Sequence, residues 1–186
     1  MDKKTLLIIF IFTSPILIVL GDILFPLPEV KSFSKEIYAK DGTLLSAYLT
    51  EDDKWRMFSK LDEITPELKT AIIEKEDSWF CWHPGVNPFS VLRAAYSNII
   101  KGERVSGAST ITMQLARLLE PKRRTYLNKI GEIFRAVQLE LHFTKEEILE
   151  MYLSLLPYGG NIEGVKAASY IYFNRPPGKL SLAQSV

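Results

Sequence analysis

The chain has 186 residues, enough for one domain with a substantial core and too few for two. Its formal net charge is +1, from 23 Lys and Arg against 22 Asp and Glu, so no overall field draws it to nucleic acid and any anion site has to come from local clustering. Cys81 is the only cysteine, which excludes an internal disulfide framework and leaves a plain thiol, expected to be partly buried.

Residues 5–21, TLLIIFIFTSPILIVLG, form an uncharged run of 17, and apolar residues resume at Ile23 after Asp22. That length approaches what a bilayer span requires. Lys3 and Lys4 precede it, which by the positive-inside rule leaves the N-terminus in the cytoplasm and the rest outside. A cleaved signal peptide would share the basic start, but Pro26 and Pro28 follow in place of a small-x-small cleavage site. Residues 1–25 are therefore expected to be a cytoplasmic tip and a transmembrane signal-anchor.

Residues 26–60 read as a juxtamembrane linker and a small β-hairpin, because Asp41-Gly42 lies between the short apolar runs 37–39 and 44–48. From residue 61 the pattern turns helical. Thr65 and Pro66 open a first helix carrying Leu68, Ala71 and Ile72. A second runs from Asn87-Pro88 to Gly102, with Val91, Leu92, Ala95 and Ile99 predicted as a buried stripe. A third is expected from about Ser109 to Leu119, and a fourth carries Ile130, Phe134, Val137 and Leu141 at helical spacing. The fifth opens on a capping box at Thr144 and Glu147 and ends before Pro157, Gly159 and Gly160. A sixth is placed from about Asn161, with Val165, Ala168 and Tyr172. Ser181 reads as one more N-cap, and because the chain stops at Val186 the domain at 61–186 is expected to be C-terminally truncated.

Two carboxylates stand out. Glu76 and Asp77 close the first helix beside Trp79, Phe80, Trp82 and His83. Adjacent acids on a helix do not share a face, so one can enter a cleft while the other binds the scaffold. Rings that exclude water would raise the pKa of such an acid and suit it to proton transfer, while two solvated acids near a helix end is the plainer account. Lys129 and Glu132, three apart, share a helical face and either hold a phosphate or form a surface ion pair. Arg117, Lys122, Arg123 and Arg124 are the one basic concentration, suited to a pyrophosphate, to anionic lipid or simply to solvent. His83 and His142 lack partners at metal-ligand spacing, so a zinc site is not expected. No Ser-x-x-Lys or Gly-x-Ser-x-Gly pattern offers an acyl-transfer nucleophile.

These segments resemble, in order, the motifs of glycosyltransferase family 51, the peptidoglycan polymerase domain of class A penicillin-binding proteins. Glu76-Asp77-x-x-Phe80-x-x-His83-x-Gly85 is similar to the first motif, and Gly107-Ala108-Ser109-Thr110-Ile111-Thr112-x-Gln114-Leu115 to the second. Lys129-x-x-Glu132 resembles the third, Ile148-Leu149-Glu150-x-Tyr152-Leu153 the fourth, and Lys166-Ala167-Ala168 with Tyr172-Phe173 the fifth. Met113 and Arg117 stand where many members have Gln and Lys, and fit best the subgroup called penicillin-binding protein 1C. Asn128, Gly131 and Ser154 stand where the family usually has Arg, a further basic residue and Asn.

The resemblance implies a mainly α, lysozyme-like helical glycosyltransferase domain that polymerises lipid II into glycan strands with inversion, releasing undecaprenyl pyrophosphate. Glu76 would be the base and Glu132 would assist the departing pyrophosphate, through Mg²⁺ or Mn²⁺. Arg117, Arg124 and Lys129 would supply positive charge, and Asp77, Phe80, His83, Ser109 and Gln114 would complete the substrate site. The implied partners are lipid II, the growing strand, the bilayer and other cell-wall synthesis proteins, with no nucleic acid. The implied location is the cytoplasmic membrane, single-pass, with the domain on the periplasmic or extracellular side. A lysozyme-like glycoside hydrolase also places an acid in a helical cleft, though a neutral leaving group needs no basic cluster. An inactive anchored remnant is the non-enzymatic alternative.

Overall fold

The computed structural model describes residues 2, 5, 13, 19–101 and 109–185, and within them the protein is mainly helical with two small sheets. Strands β1 (Glu36–Tyr38) and β2 (Leu44–Ala47) form an antiparallel hairpin closed by the expected Asp41-Gly42 turn. The helices are α1 (Pro66–Asp77), α2 (Pro88–Lys101), α3 (Ile111–Leu119), α4 (Tyr126–His142), α5 (Lys145–Leu155), α6 (Val165–Phe173) and the short α7 (Leu182–Ser185). The second sheet was not legible in the sequence. It places β5 (Ile162–Glu163) between β3 (Trp55–Arg56), which it meets in parallel, and β4 (Pro157–Gly159), which it meets antiparallel.

The core forms where α3 packs between α4 and α5. A helix buried on most sides is largely apolar, and α5 fits that description from Ile148 to Leu155, where the polar Glu150 and Ser154 accept the Leu61 and Ser59 amides and Ile148 and Leu153 are fully buried. Each such side chain contributes on the order of 1.5–3 kcal/mol relative to exposure. On α3, Ile111, Leu115 and Leu119 complete the same cluster, and Phe80 reaches it from the loop after α1.

Three polar clamps hold the earlier part of the chain to these helices. Arg56, 1% exposed, donates to Asp52 at 2.7 and 3.2 Å, to Glu163 at 2.7 Å and to the Ser32 carbonyl at 2.9 Å. Lys166 on α6 lies 3.1 Å from both Glu36 of the hairpin and Glu63, with the Tyr38 ring beside it. Burial opposes its charge, yet the bonds to Tyr38, Glu63 and Glu36 hold its ammonium above the ordinary value. Residues 19–24 are helical and end on α4, where Gln138 and His142 donate to Asp22 at 2.8 and 2.9 Å. Arg135 donates there to the Phe25 and Pro26 carbonyls at 2.7 and 2.9 Å, satisfying acceptors that a helix end leaves open.

Several expectations change. Thr65 precedes Pro66 as expected, but its hydroxyl makes no capping bond and instead faces Ser185 at 3.4 Å. The helix expected from about Ser109 begins at Ile111, capped by Thr110, whose hydroxyl accepts from the Met113 amide at 3.1 Å. On α2, Val91 and Leu92 of the expected stripe are exposed, and the side chains of Ala95 and Ile99 lie outside the described residues. On α4 the core-facing residues are Ala136, Gln138 and Leu139, whereas Ile130 and Leu141 are exposed, because the expected stripe faces away from α3. Residues 161–164 form turn and strand before α6 begins at Val165. Gly164 permits this with φ 90°, where a Cβ would also meet the Ser154 carbonyl at 2.5 Å. Cys81 is exposed rather than partly buried. Among the described residues no helix is long and apolar enough to cross a membrane, and most of the expected anchor at 5–21 lies outside them.

Removing Arg56 strands the half-buried Glu163 carboxylate and the Ser32 carbonyl. Arg56→Met is expected to cost about 3 kcal/mol or more, read as a fall in Tm of roughly 6–12 °C by calorimetry. Asp52 is held well below its ordinary 3.8 by its bonds to Arg56 and Thr50. A lowered carboxylate supplies stability above the ordinary value and loses it as the pH falls below it, so acid titration of Asp52→Asn should show a shallower decline below about pH 4 than the parent.

Candidate active site

Consecutive positions on α1 point about 100° apart, and the helix uses this at its last turn. Asp77 turns inward, where Oδ2 accepts the Ile111 amide at 3.1 Å and the His83 Nε2–H at 2.9 Å. Glu76 turns outward, accepting from Gln114 Nε2 at 2.8 Å. The expected division into one scaffold acid and one cleft acid is what the structure contains.

The loop from Phe80 to Asn87 is pinned from three sides. Thr110 donates to the Gly85 carbonyl at 2.6 Å. Gly85, at φ 85°, runs so close to α4 that a Cβ would meet the Ala136 carbonyl at 2.7 Å. Lys145 donates to the His83 carbonyl and to Glu140, each at 2.7 Å, and its ammonium lies 4.6 Å from the centre of the Phe80 ring. Glu140 also accepts from Thr112 at 2.6 Å. Lys145 and Glu140 were given no role in the sequence, and Thr110 stood only as a member of the second motif. The capping box at Thr144, which fixes Lys145 at the first position of α5, hinted at one of them.

One turn of α3 beyond Gln114, the Arg117 guanidinium lies 4.0 Å from Glu132 Oε1. Lys129 donates to Glu132 Oε2 at 2.7 Å and to the Ser109 hydroxyl at 2.9 Å. The shared face of Lys129 and Glu132 is therefore real, and Ser109, just before α3, and Arg117, on it, join that face. Glu76, Asp77, Trp79, Arg93 and Ser109 are among the residues around a cleft of about 410 Å³. Behind it, the Tyr152 hydroxyl donates to Gln114 Oε1 at 3.1 Å. Burial first, and then the nearby Glu76 carboxylate, pushes the Tyr152 phenol well above its ordinary value.

The sequence overestimated the rings. Phe80 is buried at 1%, but Trp79 and Trp82 are 60% and 83% exposed, so they do not wall Glu76 from water. Phe80 alone of the three turns into the core, beside Lys145. Phe80 and His83 lie within the scaffold, and Asp77 is buried at the edge of the cleft. Arg124 is exposed, just before the Thr125 cap of α4, and has no hydrogen bond or ion pair with any described residue. Lys122 pairs with Glu120 at 2.7 Å. Gly107 and Ala108 of the second motif lie outside the described residues. Among the described residues no three His, Cys, Asp or Glu side chains come together as a metal cage.

Asp77→Ala would leave the Ile111 amide and His83 Nε2 without a buried partner, at a cost of about 1–3 kcal/mol. Trp82→Ala, at an exposed position, should stay within about 0.5 kcal/mol. Urea unfolding of the two variants checks both, and equal losses would contradict this account of the loop.

The transglycosylase family model matches residues 41–186. The chain is 44% identical over 167 residues to penicillin-binding protein 1C of Escherichia coli (strain K12), covering 89% of this chain and 22% of that protein. It is 43% identical over 149 residues to penicillin-binding protein 1A of the same organism, covering 79% and 17%. To penicillin-binding protein 1F of Bacillus subtilis (strain 168) it is 36% identical over 152 residues, covering 81% and 21%. The chain thus spans about a fifth of the length of these curated relatives. With a family match over most of its length and Glu76, Gln114, Lys129 and Glu132 gathered around α3, the chain belongs to the transglycosylase family.

Proposed function

We propose that this chain carries a peptidoglycan glycosyltransferase that polymerises lipid II into glycan strands by inverting transfer, releasing undecaprenyl pyrophosphate. The observation that carries the reading is the face of α3, where Gln114 holds Glu76 and Arg117, one turn on, reaches toward Glu132 and Lys129. A carboxylate suited to take a proton and a pair of cations suited to receive an anion are thereby fixed by one helix.

Glu76 takes the proton of the acceptor sugar's 4-hydroxyl as that oxygen bonds to the donor's anomeric carbon. The bond from that carbon to the pyrophosphate oxygen breaks on the opposite side, and its electron pair leaves with the lipid pyrophosphate. Lys129 and Arg117 stabilise the developing charge, with Arg124 at the entrance to α4 adding to the field. Ser109 and Glu132 hold the Lys129 ammonium in place. Asp77, Phe80 and His83 act by positioning, since they fix the loop and the end of α1. The described residues offer Mg²⁺ or Mn²⁺ one carboxylate at this place, Glu132, already paired with Lys129. That is too little for a resident metal centre, and no step is assigned to one.

The charged pairing of Glu132 also speaks for transfer over hydrolysis, because it commits the second carboxylate to cations and not to a water. In this reading the partners are lipid II, the growing strand and, beside other cell-wall synthesis proteins, the bilayer. Exposed Ile23, Leu24 and Phe25, at the end of the N-terminal helical stretch, support a single-pass anchor in the cytoplasmic membrane with the domain outside.

The test uses the full-length protein with labelled lipid II, following strand length and release of the lipid pyrophosphate. Glu76→Gln should abolish polymerisation while keeping precursor binding, because the amide keeps the shape but takes no proton. Lys129→Met should lower kcat by about two orders of magnitude and change KM less, since charge on the leaving group builds mainly in the transition state. Reducing sugar ends formed without lipid pyrophosphate release would mark a hydrolase.

A further inference from the structure

The amide of Gln114 stands between two groups that demand opposite things of it. An ionised Glu76 carboxylate only accepts hydrogen bonds, so it needs the NH₂ end, which lies 2.8 Å away. The Oε1 end receives the Tyr152 hydroxyl at 3.1 Å. Were the amide turned over, its carbonyl would face the carboxylate oxygen to oxygen, and the Tyr152 proton would lose its acceptor. Tyr152 is 1% exposed, and Gln114 is its only hydrogen-bond partner among the described residues. A phenol with its pKa held high by burial stays protonated across the working range and remains a donor.

We propose that Tyr152 is a positioning residue whose hydroxyl locks the Gln114 amide with its NH₂ toward Glu76, and so keeps Glu76 aimed as the base. This rests on the reading of Glu76 as the base. The residue reaches the reaction only through Gln114: the core of α5 fixes the phenol, the phenol orients the amide, and the amide holds the carboxylate in its direction. The charged and titratable groups around Glu76 are Arg117 from α3, Tyr152 from α5, and Arg93 of α2 across the cleft. Tyr158 of β4 lies behind Tyr152. On α1 itself are Glu74, Lys75 and the inward-turned Asp77. Among the described residues Gln114 is the one hydrogen-bond donor to Glu76, so the amide is the contact that aims it.

A group that only aims the base acts on the chemical step and not on ground-state binding. The experiment measures kcat and KM separately for the full-length protein with lipid II in four forms: parent, Tyr152→Phe, Gln114→Leu and the double variant. Tyr152→Phe should lower kcat about tenfold and change KM less. Gln114→Leu should lower kcat at least as far, and the double variant no further than Gln114→Leu alone. A Tyr152→Phe loss confined to KM, or losses in kcat that add in the double variant, would overturn the proposal and leave Tyr152 a packing residue. If Tyr152→Phe does not fold, an unchanged kcat in Gln114→Leu overturns it independently. Full activity in Glu76→Gln would instead remove the base assignment itself, a different failure read from a different variant.

Discussion

Asp77 sits at the junction on which the rest of the cleft depends. Its carboxylate is shared between the first amide of α3 and the His83 imidazole, so a single buried group ties the end of one helix to the start of another and to the loop between them. A negative charge at a helix N-terminus satisfies open N–H groups and meets the positive end of the helix dipole. Because neighbouring side chains on a helix diverge, the inward turn of Asp77 also dictates the outward turn of Glu76. The position of Glu76 is thus set by what its neighbour binds, and α3 serves as the ruler from which Gln114 and Arg117 are measured.

The same use of buried charge recurs away from the cleft. Arg56 and Lys166 are nearly inaccessible cations, each with two carboxylate partners, and each joins a segment before residue 61 to one after residue 162. Such groups are costly to bury alone and strongly destabilising when a partner is lost, so they specify which surfaces meet as much as they hold them together. The apolar cluster around α5 supplies the bulk of the driving force, and the charged clamps decide how the hairpin and the strand at Trp55 lie on it.

What the sequence made legible follows from the range of the signals. Capping at Thr144, the Asp-Gly turn and proline at the start of α1 are local, and all three stand in the structure where the pattern places them. Helical periodicity located α4 but misjudged its buried face, because Ile130, Phe134, Val137 and Leu141 make an apolar stripe that faces away from α3. Periodicity shows that a face is apolar without saying what lies against it. The parallel pairing of β3 with β5 joins two-residue strands more than a hundred positions apart, and no local pattern encodes that. At the cleft, Lys129 with Glu132 was readable from spacing within one helix, whereas the bond from Gln114 to Glu76 spans 38 positions and belongs to the packing of α1 on α3. The rings around Glu76 misled because adjacency in sequence was taken for enclosure, and a loop pinned by Phe80 turns Trp79 and Trp82 to solvent.

The place of Glu132 carries one further step. Lys129 and Arg117 would otherwise be free to reach any nearby carboxylate, and Glu76 is held by a residue one turn from Arg117 on the same helix. An ion pair between those cations and Glu76 would quench a base and bury an anion site at once. With Lys129 bound at 2.7 Å to Glu132 and at 2.9 Å to Ser109, the ammonium is kept on the α4 side of the cleft. The cluster of Arg117, Lys129 and Glu132 sums to one positive charge, so it still favours an incoming pyrophosphate while the acid between the cations fixes their separation. In the proposed reaction Glu132 therefore works before any bond changes. It keeps base and cations apart until a substrate with a hydroxyl at one end and a phosphate at the other bridges them, and that need to separate opposite charges explains why an acid occupies the middle of a site meant for an anion.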